Sequence, residues 1–287
     1  EAYAVSISYT FSRNCYNRPM YLCIDIGGTK TLIALVNSQG KILHSIKFAT
    51  IFSQTEFYSN LLMQIRANFT TSNLKAISVA MPGIVHHNKC VWLGNLPWRN
   101  FDLAKLLTDD FHLPVYIEND ANLAGLAEAR NCTGRSLYFT FSTGIGGAVI
   151  ENGELVKKYR DFEPGHNLYV YEGKETEWED LAAASAIRAK YDCYVSDITD
   201  PAAFHEIVTR MLLGLTPLTA SIKPDRIFFG GPLGLNLNLY RKELRTRLAA
   251  ALPSRITMPR LITAKYDNLS VIYGCYYYAK EQEKRAK

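Results

Sequence analysis

No apolar run in the 287-residue chain reaches the about 18 residues that a bilayer-crossing helix needs, so no membrane is expected as a partner. The six cysteines, Cys15, Cys23, Cys90, Cys132, Cys193 and Cys275, are scattered, and no two form a CxxC pair. This excludes a disulfide framework and a sequence-local zinc site, and it predicts buried, reduced thiols in a cytoplasmic protein. Basic residues form no stripe interleaved with aromatics, so nucleic acid is not expected either. The net charge of +5 is mild and leaves anionic small molecules open as ligands. The first nineteen residues lack a basic segment followed by an apolar one, which excludes a good secretion signal. Met20 directly precedes the first strand, and residues 1–19 are expected to form an N-terminal extension outside the fold.

What is present is a globular composition, 48% hydrophobic and 21% charged, in a chain long enough for two ordinary domains. Strand and helix patterns alternate along it, which argues for an α/β fold. Tyr21–Ile26, Thr31–Val36 and Lys41–Phe48 read as strands, Gln54–Phe69 as a helix with apolar residues at helical spacing, and Ala76–Ala80 as a further strand. Phe101–Phe111 reads as a helix, Val115–Ile117 as a strand, and Ala121–Arg130 as a helix opened by a capping residue. The second half predicts strands at 136–142, 148–150, 225–229 and 261–263. It predicts helices at 178–191, 204–218, 239–252 and 269–284.

Three features carry chemistry. Asp120 stands at a strand-to-helix corner, the carboxyl end of a strand, where open α/β sheets place ligands. Alone, such a carboxylate reads as an N-cap. Two glycine-rich turns flank it, Asp25-Ile-Gly-Gly-Thr-Lys30 and Ser142-Thr-Gly-Ile-Gly-Gly147, each expected to bring backbone N–H groups close to a phosphate. One candidate base between two phosphate cradles is a kinase-like arrangement. Asn95-Leu-Pro-Trp98 offers an amide beside an aromatic ring, a pairing that suits a sugar, although a turn with a packed Trp is the plainer reading. Glu163-Pro-Gly-His166 can hydrogen-bond a polyol.

In order, DIGGTK, MPG, NLPW, ENDAN, STGIGG, EPGH and FFGGPLG resemble the ROK family of sugar kinases across nearly the whole chain from Tyr21. The resemblance implies a two-lobed, actin-like ATPase (ribonuclease H-like) fold with a cleft between lobes. The lobes are expected at 20–119 and 120–268, with a final helix, about 269–287, returning to the first. It implies ATP and Mg²⁺ as cofactors, and a hexose or N-acetylhexosamine as substrate. Asp120 is the implied general base; Asn95, Asn119, Glu163, His166 and Glu179 are the implied sugar ligands, with Glu175 and Glu177 competing for the place of Glu179. Gly27, Gly28, Thr29 and Lys30, with Thr143, Gly144, Gly146 and Gly147, are the implied phosphate loops; Gly230 and Gly231 form the adenosine-side turn, and Asp25 is the Mg²⁺-side carboxylate.

Glucose is the expected substrate, with N-acetylmannosamine the alternative and N-acetylglucosamine and fructose behind it. A homodimer is the family expectation. A sugar-sensing repressor is disfavoured because only about twenty residues precede the first phosphate loop, and a catalytically dead sugar binder because Asp120 and the loops are intact. One departure stands out. Many members carry a CxCGxxGCxE zinc module after the GH dipeptide, whereas here no cysteine follows Gly165-His166 until Cys193. A zinc-free loop braced by Tyr169, Tyr171 and Trp178 is therefore expected, since structural zinc takes four Cys or His ligands.

Overall fold

Met20 to Ile26 is almost wholly buried along its length, as befits a strand covered on both faces. The computed structural model of the protein describes residues 5–8, 19–92 and 96–286. It divides into two compact units: one holds the described residues up to Ala127 together with those from Val271 onward, and the other is Glu128–Ser270.

The first unit is built on a six-stranded sheet. In chain order its elements are β1 (Val5–Ser8), β2 (Met20–Ile26), β3 (Lys30–Asn37), β4 (Ile42–Ala49), α1 (Gln54–Asn68), β5 (Leu74–Met81), the hairpin β6 (Ile84–His86) and β7 (Lys89–Trp92), α2 (Leu103–Phe111), β8 (Val115–Asn119) and α3 (Asp120–Ala129). The sheet order is β1-β4-β3-β2-β5-β8. The β1–β4, β4–β3 and β3–β2 pairs are antiparallel, and β2–β5 and β5–β8 are parallel. Helix α1 starts at Ser53, whose hydroxyl accepts from the Glu56 N–H, and buries Phe57, Leu61 and Ile65, three positions at helical spacing. The β6–β7 turn places His87 and Asn88 at positive φ, a primed hairpin turn, and the Asn88 side chain hydrogen-bonds Val115 and Ile117. That contact occupies backbone groups of β8, the edge strand of the sheet.

The second unit repeats the plan. Its elements are β9 (Arg135–Phe141), β10 (Ile145–Glu151), β11 (Glu154–Leu155), the hairpin β12 (Leu168–Tyr171) and β13 (Lys174–Glu177), α4 (Trp178–Ala182), α5 (Ala184–Tyr191), α6 (Pro201–Ile222), β14 (Arg226–Gly230), α7 (Gly231–Leu235), α8 (Arg241–Ala251) and β15 (Arg260–Thr263). The sheet order is β11-β10-β9-β14-β15, antiparallel at the β9–β10 hairpin and parallel from β9 to β15. In both units an antiparallel hairpin is followed by parallel strands, so the strand–turn–strand modules occupy equivalent places.

The closing helix α9 (Ser270–Arg285) packs on the first unit. Gly274 makes this possible, because a Cβ there would lie 2.0 Å from the Leu123 carbonyl oxygen. Cys275 Sγ donates to the Ile24 carbonyl, and Tyr21 donates its hydroxyl to Glu283 at 2.7 Å. The boundary between the units falls inside α3, after Ala127, rather than before Asp120.

Three sequence expectations change. The helix expected over 178–191 breaks at Ala183, which is extended (φ −66°, ψ 155°). The break lets the start of α5 meet the preceding turn, where the Ser185 N–H donates to the Ser142 carbonyl at 3.1 Å. The glycine turn expected across 143–147 shortens to 142–144, because Gly146 and Gly147 already pair with Thr140 and Phe139 as strand residues. Residues 1–4 and 9–18 of the expected extension lie outside the described residues, while Val5–Ser8 pairs as β1 with β4. No disulfide joins cysteines among the described residues, and none of the described helices is long and apolar enough to cross a membrane.

Candidate active site

In the first unit, the carboxyl ends of the parallel strands β2, β5 and β8 lie side by side. Asp25 stands opposite Ala80, and Met81 opposite Asn119. The turn Gly27–Thr29 joins β2 to β3, closed by the Gly27 N–H donating to the Lys30 carbonyl at 3.0 Å. Thr50 supports it from β4's end, donating its hydroxyl to the Gly27 carbonyl at 2.8 Å and its N–H to the Thr29 carbonyl at 3.0 Å. A Cβ on Gly27 would meet that Lys30 oxygen at 3.1 Å, a close approach that favours glycine. Thr29 and Lys30 are exposed.

At the β8–α3 corner, the cap is Asn119 and not Asp120. The Asn119 Oδ1 accepts from the Asn122 N–H at 2.9 Å, and its Nδ2 donates to the Gly83 carbonyl at 2.8 Å. Glu118, buried beside it, accepts from the Asn119 N–H and the Asn122 amide, each at 3.1 Å. Asn119 is thus tied into the frame at both ends of its amide, more than its expected part as a sugar ligand required. Asp120 keeps part of its surface open. Burial pushes its carboxyl up to about 6, against the pull of its bonds to the Ala121 N–H and its own N–H. Asp25 is pushed up to about 7, first by burial and then by the Asp120 charge, with Lys47 acting the other way. The Asp25 carboxylate, next to the glycine turn, is a hard oxygen donor of the kind Mg²⁺ takes.

Trp98 follows the plainer reading of NLPW, a turn with a packed Trp, and not the sugar-platform one. It is buried, its Nε1 donates to the Phe52 carbonyl at 2.7 Å, and its ring centroid lies 4.5 Å from that of Phe57. It is a core residue. Asn95 lies outside the described residues.

In the second unit, the parallel pair β9–β14 aligns Gly230 with Thr140, so the Ser142–Gly144 turn and the Gly230–Gly231 turn share one end of the sheet. A cavity of about 550 Å³ opens there, lined in part by Thr143, Ser185, Arg188, Tyr194, Pro232 and Asn236. Its volume is that of a small-molecule site. Ser185 donates its hydroxyl to the Thr143 carbonyl at 2.6 Å, and the Arg188 guanidinium lies 4.4 Å from the Tyr194 ring centroid. Gly231 has φ +71° with its Cβ position 2.4 Å from the Phe141 carbonyl, so only glycine fits that turn. Packing explains two other glycines: a Cβ on Gly147 would strike Phe162 and Pro164 at 2.7 and 2.8 Å, and one on Gly230 the Tyr138 hydroxyl at 2.4 Å.

The polyol-binding candidates also meet in this unit. Glu163 precedes the 3₁₀ turn Pro164–His166, and His166 and Glu179 converge beside the Gly144 turn. Glu179 Oε2 accepts from the Ile145 N–H at 3.1 Å, and a Cβ on either Gly144 or Gly165 would lie 2.5 Å from that oxygen. Glu177 is added to the group, its Oε2 at 2.8 Å from His166 Nδ1, whereas Glu175 is exposed on the hairpin. Partial burial works against the His166 imidazolium, but the Glu177 bond and the charges of Glu179, Glu177 and Glu163 outweigh it, and its pKa is raised. His166, Glu177 and Glu179 offer three donor atoms within 4.8 Å of one another. That is one short of the four of a structural zinc site. Trp178 braces the hairpin: fully buried, it donates Nε1 to the Arg210 carbonyl, and Tyr169 packs 6.4 Å from its ring centroid.

The ROK family's sequence profile matches residues 21–282. The chain belongs to the ROK family. Among the relatives, a fructokinase of Zymomonas mobilis is 29% identical over 245 residues, 75% of this chain and 80% of its own. A xylose repressor of Bacillus spizizenii is 27% identical, covering 78% of this chain and 68% of its own. The crystal structure of a ROK family glucokinase from Streptomyces griseus, in complex with glucose and AMPPNP, superposes with a TM-score of 0.74. It is 22% identical and covers 91% of this chain and 99% of that one. The two-sheet α/β architecture is the actin-like ATPase fold of ROK kinases.

Sequence reasoning missed Lys47, Thr50, Arg188 and Tyr194. None sits in a glycine motif, and each reaches its place through strand register or helix packing that no local pattern announces. Glu118 opens the ENDAN motif but carried no signal of its own role.

Proposed function

We propose that this ROK protein is an ATP-dependent hexose kinase that transfers the γ-phosphate to the 6-hydroxyl of a sugar, with glucose the leading acceptor. The observation that carries this reading is Asp120, a carboxylate at the carboxyl end of a parallel strand, relieved of capping duty by Asn119 and held at about 6. A base with that affinity accepts a proton near neutral pH and still ionises readily.

In the proposed reaction, Asp120 takes the proton as the sugar oxygen bonds to the γ-phosphorus, and the bond to the β–γ bridging oxygen breaks to leave ADP. Little covalent work falls to the protein, so positioning and charge stabilisation carry the rate. The N–H groups of Gly28 and Thr29 and of Thr143 and Gly144 are the proposed phosphate donors, with Gly27 closing the first turn through its own N–H and Lys30 adding positive charge. Gly146 and Gly147 set the strand behind the second turn. Gly230 and Gly231 border the nucleoside cavity, where Ser185, Arg188 and Tyr194 are the proposed adenosine contacts. Mg²⁺ bound on the Asp25 side would neutralise phosphate charge. Glu163, His166 and Glu179, with Asn95 and Asn119, are the proposed partners of the sugar hydroxyls. The kinase names of relatives support this reading.

The test is coupled ADP release with Mg-ATP against glucose, fructose, N-acetylmannosamine and N-acetylglucosamine. Turnover with one sugar, falling by about 10²-fold or more in Asp120→Asn with little change in the KM for ATP, is the expected result. Near-normal turnover in Asp120→Asn overturns the role of the base. Sugar binding without ADP release from any acceptor overturns the kinase reading in favour of a non-catalytic sugar binder.

A further inference from the structure

The loop after Gly165-His166 has no cysteine, yet it is not loose. The β12–β13 hairpin runs out and back in a tight register, Leu168 opposite Glu177, with Glu172 and Gly173 both at positive φ in a primed turn. Its closing end is fixed against its opening end by the Trp178 N–H, which donates to the Asn167 carbonyl at 3.0 Å. Trp178 itself is locked in the core, edge-on to Phe139 and Phe141 at 5.4 and 5.6 Å. The last residue of the hairpin is therefore delivered to one place, next to His166. That residue is Glu177, and its carboxylate meets His166 Nδ1 at 2.8 Å.

Deepening the kinase reading above, on which it rests, we propose that Glu177 is a positioning residue: through its hydrogen bond to Nδ1 it fixes the ring plane and tautomer of His166, so that Nε2 is presented to the sugar. An imidazole has two inequivalent nitrogens, and the bond made by one decides the role of the other. In the neutral ring the carboxylate keeps the proton on Nδ1 and Nε2 accepts a hydrogen bond from a sugar hydroxyl; in the imidazolium, which the same carboxylates favour, Nε2 donates to a sugar oxygen from the same position. Glu179 cannot substitute for Glu177. Its Oε1 lies 3.9 Å from Nδ1, beyond hydrogen-bond reach, and its Oε2 is engaged by the Ile145 N–H. The pair is also partly exposed, with side-chain exposures of 40% and 41%, so it contributes little to stability. A merely structural role would thus leave kinetics untouched.

Two measurements test this. The ring ¹⁵N resonances of His166, assigned by comparison with His166→Gln, should report the Nδ1–H tautomer in the wild type and lose it in Glu177→Ala. In ADP-release assays, Glu177→Ala should raise the KM for the sugar on the order of tenfold. The kcat and the KM for ATP should stay within about twofold. Glu177→Gln, whose amide oxygen still accepts from Nδ1–H, should restore most of the loss. An unchanged tautomer in Glu177→Ala overturns the proposal, as does a sugar KM that does not move or moves together with the KM for ATP. Zinc found in the purified protein by elemental analysis and lost in Glu177→Ala overturns it in favour of a metal site on the same side chains. Absence of turnover in the wild type overturns the kinase reading alone, because the tautomer still reports whether Glu177 orients the ring.

Discussion

Asp25 and Asp120 carry the same side chain and stand at the carboxyl ends of two parallel strands, β2 and β8, with β5 between them, but their surroundings are not equivalent. Asp120 is eased toward ionisation by two backbone N–H groups, whereas Asp25 feels burial and the charge of Asp120 with only Lys47 in relief. The proposed base therefore ionises first. Below its pKa the base is protonated and cannot accept the hydroxyl proton, so kcat/KM should fall as pH drops through about 6. A pH–rate profile showing no acid limb in that region would count against Asp120 as base. The same shifts bear on stability. Asp25 holds its proton more tightly folded than unfolded, so its contribution to stability is fully present below the ordinary carboxylate range. That contribution is lost as pH rises through about 7. Asp25→Asn removes the cost of a buried charge. It should raise Tm by at least roughly 2–4 °C at pH 8, and by scanning fluorimetry it should show no gain near pH 4.

At the scale of elements, the decisive features are breaks and close approaches. The helix pattern over 178–191 divides at Ala183 because α4 serves Trp178 and Glu179 while α5 serves the Ser142–Gly144 turn. Two partners in different directions cannot be met by one straight helix. Helix α6 meets α4 at Gly214, where a Cβ would come within 2.3 Å of the Trp178 ring. Gly214→Ala should therefore displace Trp178, costing roughly 1–3 kcal/mol by overpacking. Because Trp178 anchors the hairpin that bears Glu177, the same variant should raise the sugar KM more than the KM for ATP. Denaturant unfolding together with steady-state kinetics measures both. A Gly214→Ala protein of unchanged stability would mean that the ring has another place to go.

For the molecule as a whole, each unit has its own sheet and its own buried core. Ligands that bind only the folded chain stabilise it by mass action, by about 2.7 kcal/mol at a concentration of 100 Kd. Mg-ATP and the preferred sugar should each raise Tm in proportion to the logarithm of concentration, and EDTA should abolish turnover and reduce the shift given by ATP. Turnover that survives EDTA would remove Mg²⁺ from the proposal.

The residues by themselves determined the alternation of strands and helices, because apolar periodicity is written locally. They also determined the two strand–turn–strand modules, because Gly27 lies where the Lys30 carbonyl approaches closely and Gly144 where the Glu179 carboxylate does. Asp120 was legible as a candidate from its corner, and Glu177 only as one of three glutamates. What tertiary structure decided was which side chain does which work. Strand register brought Lys47 level with Asp25 and Thr50 to the first glycine turn, helix packing brought Arg188 to the second, and burial made Trp98 a core residue. The capping role passed from Asp120 to Asn119 because only Asn119 reaches both the Asn122 N–H and the Gly83 carbonyl. Glu177 was separated from Glu175 by the hairpin register, since a two-residue step along a strand moves a carboxylate about 7 Å from its target, and from Glu179 by the turn into α4, which sends that carboxylate to the Ile145 N–H.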